Sequence, residues 1–148
     1  MVVSTTVHEA ATRGLRRISQ RYTVSRRALV EVLEQTDRPL TIPEILATDA
    51  SLASSSVYRN LAALEQAGVV TKVVTAHEHA RYELAEAFGH HHHHLVCDEC
   101  GQVNDVTLPD QVEAALDQAL RRAARKLGYE AGAHRVDLSG VCPDCQEH

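Results

Sequence analysis

The 148 residues predict an α+β chain in two units. An N-terminal set of helices ends in a β-hairpin, and a small sheet with one long helix then gathers around four cysteines. Three observations lead to this. Apolar residues recur at helical spacing as far as Gly68 and are followed by two short β-rich runs. After Gly89 strand and helix patterns alternate. All four cysteines fall in two Cys-x-x-Cys pairs, Cys97 with Cys100 and Cys142 with Cys145.

In the first unit, Ala10 to Ser19 reads as a short basic helix. Thr23 can N-cap a second, with Ala28, Leu29, Val32 and Leu33 on one face, running to about Thr36. Arg38-Pro39 breaks it. Thr41-Ile42-Pro43-Glu44 is a capping box with proline in the first turn, which starts a third short helix over Ile45 and Leu46. Ser54 or Ser55 can cap a fourth, with Val57, Leu61 and Leu64 facing inward and Gly68 at a left-handed C-cap. The runs Val69 to Thr75 and Arg81 to Leu84 then form a hairpin around His77 and His79. Helices followed by a hairpin in this order predict a winged helix-turn-helix over residues 1–84.

Residues 85–89 read as a hinge, and 90–148 as the second unit. Its expected elements are a strand from His92 to Cys97, a knuckle, a strand from Gln102 to Thr107 and a helix from about Pro109 to Leu127. Val112, Leu116, Leu120 and Leu127 form that helix's apolar stripe, and a last strand spans His134 to Ser139.

Composition bounds the function. Hydrophobic content is 44%, normal for a globular chain. No apolar run approaches the ~20 residues of a membrane span, and the N-terminus lacks a signal-peptide core. A cytoplasmic location without membrane association is expected. Net charge is −5, unevenly placed: residues 1–84 carry 10 Lys/Arg against 9 Asp/Glu, and residues 85–148 carry 5 against 11. Arg13, Arg16, Arg17, Arg21, Arg26 and Arg27 face only Glu9 in the first 27 residues. Such a local basic patch is what phosphate contact needs. Short side chains at Ser54, Ser55 and Ser56 let a helix N-terminus approach bases closely.

A two-residue gap lets both thiolates of a tight turn converge on one ion. Two such knuckles make a closed site with no open position, which is structural zinc; a redox dithiol pair is the competing reading. His90 to His94 form an unbroken run where a strand begins, so His92 and His94 point one way and His91 and His93 the other. Imidazole pairs with carboxylates suit Zn2+, Fe2+, Mn2+ or Ni2+. His77, His79 and Glu83 are candidates to close on one pair, and Glu113 and His134 on the other. A hydrolytic zinc enzyme is not expected, because no motif sets an ordered base beside an open metal. A zinc-ribbon module that binds only protein is a further alternative.

Three stretches carry a resemblance: Arg21-Tyr22-Thr23-Val24-Ser25-Arg26, Ser56-Val57-Tyr58-Arg59-Asn60-Leu61, and residues 92–101, His-His-His-Leu-Val-Cys-Asp-Glu-Cys-Gly. With the closing Cys-Pro-Asp-Cys, their order and spacing resemble the ferric uptake regulator (Fur) family of bacterial metalloregulators, from about Leu15 to Cys145. The resemblance implies a winged helix joined by a hinge to an α+β dimerisation domain, hence a homodimer on a palindromic double-stranded operator. It implies base contacts by Tyr58 and Arg59, a minor-groove arginine at Arg21 and a phosphate contact at Arg26. It maps a regulatory hinge site onto Glu83, His92, His94 and Asp105, and a second site onto His91, His93, Glu113 and His134. Where many members have a histidine before the third helix this chain has Pro39-Leu40, so His77 or His79 is expected to stand in. The implied activity is metal-dependent repression of metal-homeostasis genes, with structural zinc and a regulatory ion, Zn2+ or Fe2+ first and Mn2+ or Ni2+ next, and no organic cofactor. The alternative within the family is a peroxide sensor working through Fe2+-driven histidine oxidation.

Overall fold

The computed structural model describes residues 2–77 and 79–147, in two compact units that divide at His90. In the first, α1 (Val2–Arg17) starts well before the expected Ala10. Val7, Ala11 and Leu15, spaced by four, form its fully buried stripe. Upstream valines and threonines are weak helix formers, which hid this start from propensity. The helix ends on Ser19 in the left-handed region (φ 58), while Gln20 N–H closes onto Leu15 O at 2.8 Å.

α2 (Val24–Glu34) is capped as expected: Arg26 N–H donates to Thr23 Oγ1 at 3.3 Å. Leu29, Val30, Val32 and Leu33 are buried. The Thr41 capping box is present on both sides, with Glu44 N–H to Thr41 Oγ1 at 3.3 Å and Thr41 N–H to Glu44 Oε2 at 2.8 Å, and it starts α3 (Ile42–Thr48). Burial alone would raise the Glu44 carboxyl, but the Thr41 N–H and the Arg81 and Arg38 guanidiniums hold it below its ordinary value.

α4 (Ser54–Gln66) departs from expectation at its start. Ala53 is the N-cap and makes no side-chain cap, so Ser54 and Ser55 stand inside the first turn. Val57, Leu61 and Leu64 are buried, and Gly68 (φ 79) closes the helix. The hairpin is β2 (Val70–Val73) with β3 (Arg81–Leu84). A two-residue strand that sequence did not suggest, β1 (Leu40–Thr41), pairs on the other edge of β3 and makes a three-stranded wing. The 85–89 segment holds a 3-10 turn, Glu86–Phe88, whose Phe88 packs against the first unit's core.

In the second unit, β4 (His93–Cys97) lies between β5 (Val103–Val106), antiparallel, and β6 (Asp137–Gly140), parallel. The expected strand from His134 shrinks to Asp137–Gly140, and Arg121 holds the Ala131 and Gly132 carbonyls in the irregular run ahead of it. A short α6 (Pro143–Gln146) ends the chain. α5 (Asp110–Lys126) buries none of its residues. Its stripe stays open, with Val112 49% and Leu120 40% exposed.

Among the glycines of the first unit, Gly14 marks the tightest approach. A Cβ there would lie 2.5 Å from the Ala67 carbonyl oxygen, a backbone atom at the end of α4. Helix propensity favours alanine over glycine by about 1 kcal/mol, while overpacking a closed contact costs ~1–3 kcal/mol. The contact outweighs the propensity. Gly14→Ala is expected to lower stability by up to about 2 kcal/mol, read as an earlier denaturant midpoint; a later midpoint would show that α1 does not sit this close to α4.

Candidate metal centres and nucleic-acid interface

Cys97 closes β4, a turn brings Cys100 back beside it, and Cys142 and Cys145 flank the start of α6. The four sulfurs lie within 4.8 Å of one another. Cys100 and Cys142 Sγ are 3.8 Å apart, matching the ~3.8 Å edge of a tetrahedron with Zn–S bonds of about 2.3 Å. Backbone N–H groups of Cys100 and Cys142 draw the Cys97 thiol down to about 6, and Cys142 N–H reaches its sulfur at 3.3 Å. Cys145, crowded first by Cys142 and then by the other sulfurs, is pushed far up. Four thiolates coexist here only around a dication, and the donor set is that of structural zinc.

β4 and the two residues that lead into it send the histidines alternately to two sides, as expected. On one, His92 and His94 rings stand 5.2 Å apart. Register sets Asp105 of β5 and Asp137 of β6 both opposite His94. Asp105 lies 3.7 Å from His92 Nε2 and 3.8 Å from His94 Nε2, while Asp137 Oδ1 is 3.2 Å from His94 Nδ1. Glu83 belongs to β3 of the first unit, paired with Thr71.

The expected stand-ins are His77 and His79. They lie at the turn of the wing, whereas Glu83 lies near its base. Both histidines lie between β2 and β3, outside either strand. His77 and His79 join no ligand group among the described residues.

On the other face, His91 Nε2 and His134 Nε2 meet Glu113 Oε1 at 2.9 and 2.5 Å, and His93 Nε2 meets Oε2 at 2.9 Å. The His91 and His134 Nε2 atoms are 3.2 Å apart, near the ~3.3 Å edge of a tetrahedron with metal–nitrogen bonds of about 2.0 Å. Three imidazoles and a carboxylate converging on one point fit a borderline divalent ion. Beside them opens a cavity of about 330 Å³ lined by Asp110, Glu113, Asp117 and His134, which gives an ion an entry path. Burial opposes charge on His134, but Glu113 and Asp117 on its two nitrogens raise it above the ordinary imidazole value.

Among the candidate DNA contacts, Arg21, Ser55 and Arg59 are exposed, Ser56 is half-buried and Tyr58 is 66% exposed. Arg26 differs. It is 7% exposed, and its guanidinium donates to Asn60 Oδ1 (3.0 Å), Arg21 O (2.8 Å) and Gln20 Oε1 (2.9 Å). Where sequence led us to expect a phosphate contact, the structure has a buried tie between the Arg21 segment and α4. The residues sequence reasoning missed are Asn60, Asp117, Arg121 and Asp137. For two of them a signal was there, since Glu113, Asp117 and Arg121 succeed one another at four-residue spacing along one face of α5.

Comparison with known proteins agrees with this geometry. The ferric uptake regulator family model matches residues 17–139. The peroxide-responsive repressor PerR of Staphylococcus aureus is 26% identical over 143 residues, covering 94% of this chain and 91% of that protein. The Helicobacter pylori ferric uptake regulator Fur superposes with a TM-score of 0.75 at 23% identity, covering 98% of this chain and 95% of that one. The Vibrio cholerae regulator superposes at 0.69 with 28% identity, covering 88% and 98%. Fold, four-cysteine cluster and family match converge, and the chain belongs to the ferric uptake regulator family.

Proposed function

We propose that this protein is a metal-dependent transcriptional repressor that binds a two-fold symmetric operator as a homodimer when its His92, His94 and Asp105 group holds a divalent ion. The observation that carries the reading is the pair of imidazole–carboxylate clusters on opposite faces of β4, the strand that ends in Cys97. A bound ion supplies charge and fixed coordination there. His92 and His94 present nitrogen donors, Asp105 presents oxygen, and Glu83 of the first unit is the fourth ligand that the family resemblance suggests. Recruiting Glu83 would tie the two units together and set their angle for DNA. The second cluster, His91, His93, Glu113 and His134, holds a further ion of the same class. Zn2+ and Fe2+ are the leading candidates, and Mn2+ and Ni2+ share the donor preference.

The exposed stripe of α5, with Leu138 of β6 66% exposed, supports a second copy of the chain as its cover. Two winged units related by a two-fold axis call for a palindromic site. Arg21 and the first turns of α4, with Ser55, Ser56, Tyr58 and Arg59, form the DNA face. Operator binding sets the working location in the cytoplasm. The likeness to a peroxide-responsive repressor favours a second reading, in which the same histidines would hold Fe2+, the ion would supply peroxide-dependent oxidation, and an oxidised imidazole would no longer support DNA binding.

Three measurements test these readings. With structural zinc retained, filling the histidine group is expected to raise operator affinity about 5- to 150-fold. His92→Ala and Asp105→Ala should remove that gain, and an affinity unchanged across the metal titration would overturn the proposal. Arg21→Ala should weaken binding and reduce the salt slope by about 1. Arg26→Ala should weaken binding with the slope intact, because its guanidinium is engaged inside the fold; a lost slope of equal size would make Arg26 a phosphate contact after all. After aerobic exposure with Fe2+, mass spectrometry should find an added oxygen on His92 or a neighbouring histidine if the peroxide reading holds, and unmodified histidines would eliminate it.

A further inference from the structure

We infer that Asp117 is a positioning residue for the His91, His93, Glu113 and His134 group: it fixes the His134 tautomer and ring so that Nε2 enters the group as a ready lone pair, and Arg121 holds Asp117 in place to do so. The inference rests on reading that group as a metal site.

The geometry is a chain of contacts. His134 turns Nε2 toward Glu113 and His91, and Nδ1 toward Asp117 Oδ1 at 3.1 Å. A carboxylate only accepts, so in the neutral imidazole that ligates an ion Asp117 keeps the proton on Nδ1 and leaves the Nε2 lone pair for the metal. The other carboxylate oxygen, Oδ2, accepts from Arg121 Nε at 2.8 Å. The same guanidinium donates through Nη1 to Ala131 O (3.1 Å) and through Nη2 to Gly132 O (3.2 Å), the run that leads into His134. Arg121 thereby pins both the carboxylate and the loop carrying the ligand. Glu113, Asp117 and Arg121 share one face of α5 at four-residue spacing, so a single rigid element presents the ligand, its orienter and the clamp.

His93 provides the contrast. Its Nδ1 is buried without a hydrogen-bond partner, while its Nε2 meets Glu113. A metal on His93 Nε2 therefore leaves an N–H with nowhere to donate, a state that burial penalises. On His134 the N–H that a metal on Nε2 leaves behind has its acceptor in Asp117. Outer partners of this kind typically change metal affinity about 10- to 100-fold.

The test uses full-length, zinc-loaded protein in a His92→Ala/His94→Ala background, titrated with Co2+ and followed by its d–d absorption. His134→Ala must abolish the signal; if it does not, the group is not the metal site and the inference falls with that reading. With the site so established, Asp117→Ala is expected to weaken Co2+ binding about 10- to 100-fold. Asp117→Asn, whose amide oxygen still accepts from Nδ1–H, should recover most of the loss, and Arg121→Ala should lie between. Zinc content at the four cysteines and the circular dichroism spectrum should be the same in all variants. Binding by Asp117→Ala within twofold of the parent would overturn the inference while leaving the metal site standing. An Asp117→Asn variant as weak as Asp117→Ala would also overturn it, because the hydrogen bond would then not be the cause.

Discussion

The backbone pairing of β4 with its two neighbours is the interaction on which the second unit depends. β4 contributes Cys97 to the four-cysteine cluster, His94 to one face and His93 to the other, and His92 and His91 lead directly into it. Side chains on a strand alternate, so a single ladder decides which imidazoles meet which carboxylates. The antiparallel edge sets Asp105 opposite His94, and the parallel edge sets Asp137 opposite the same residue. The zinc knuckles reinforce this pairing at the strand's end, where Asp98 N–H reaches Gly140 O at 2.8 Å and Cys142 N–H reaches the Cys97 sulfur. Zinc and sheet register are thus one mechanical system.

In the first unit a buried cation plays the comparable part. Arg26 is held by three acceptors drawn from the Arg21 segment and from α4. Removing one member of such a buried network leaves donors unmet, which is more damaging than never having built it. The arrangement keeps an exposed arginine and the exposed first turns of α4 in a fixed mutual position before any nucleic acid arrives. Order established in advance lowers the entropy that association must overcome.

What could be read from the chain was what local chemistry decides. The Thr41–Glu44 capping box, the Thr23 cap, Gly68 and the cysteine knuckles each need only a few consecutive residues, and each stands where expected. The alternating histidines were legible because strand periodicity is strict. The rest depends on partners distant in sequence. α1 is longer than propensity suggests because its stripe is covered by the rest of the unit, and β1 exists only because β3 offers it an edge. Arg26 looked like a surface arginine until Asn60, 34 residues away, accounted for its burial. His77 and His79 looked near enough to Glu83 in sequence, but they lie in the turn before β3 and join none of the ligand groups among the described residues.

The uninterrupted run from His90 to His94 has a consequence for the order in which metals load. Shifting β4 by one residue would exchange its two faces, yet both would still display imidazoles, so histidine chemistry alone gives no penalty for the error. Cys97 has no such redundancy: out of step, its sulfur leaves the other three. An ion on the four cysteines would therefore fit only one frame of the strand. A chain that met a histidine-bound ion first would be free to trap the wrong frame, whereas one that takes up zinc first has only a single frame left to offer.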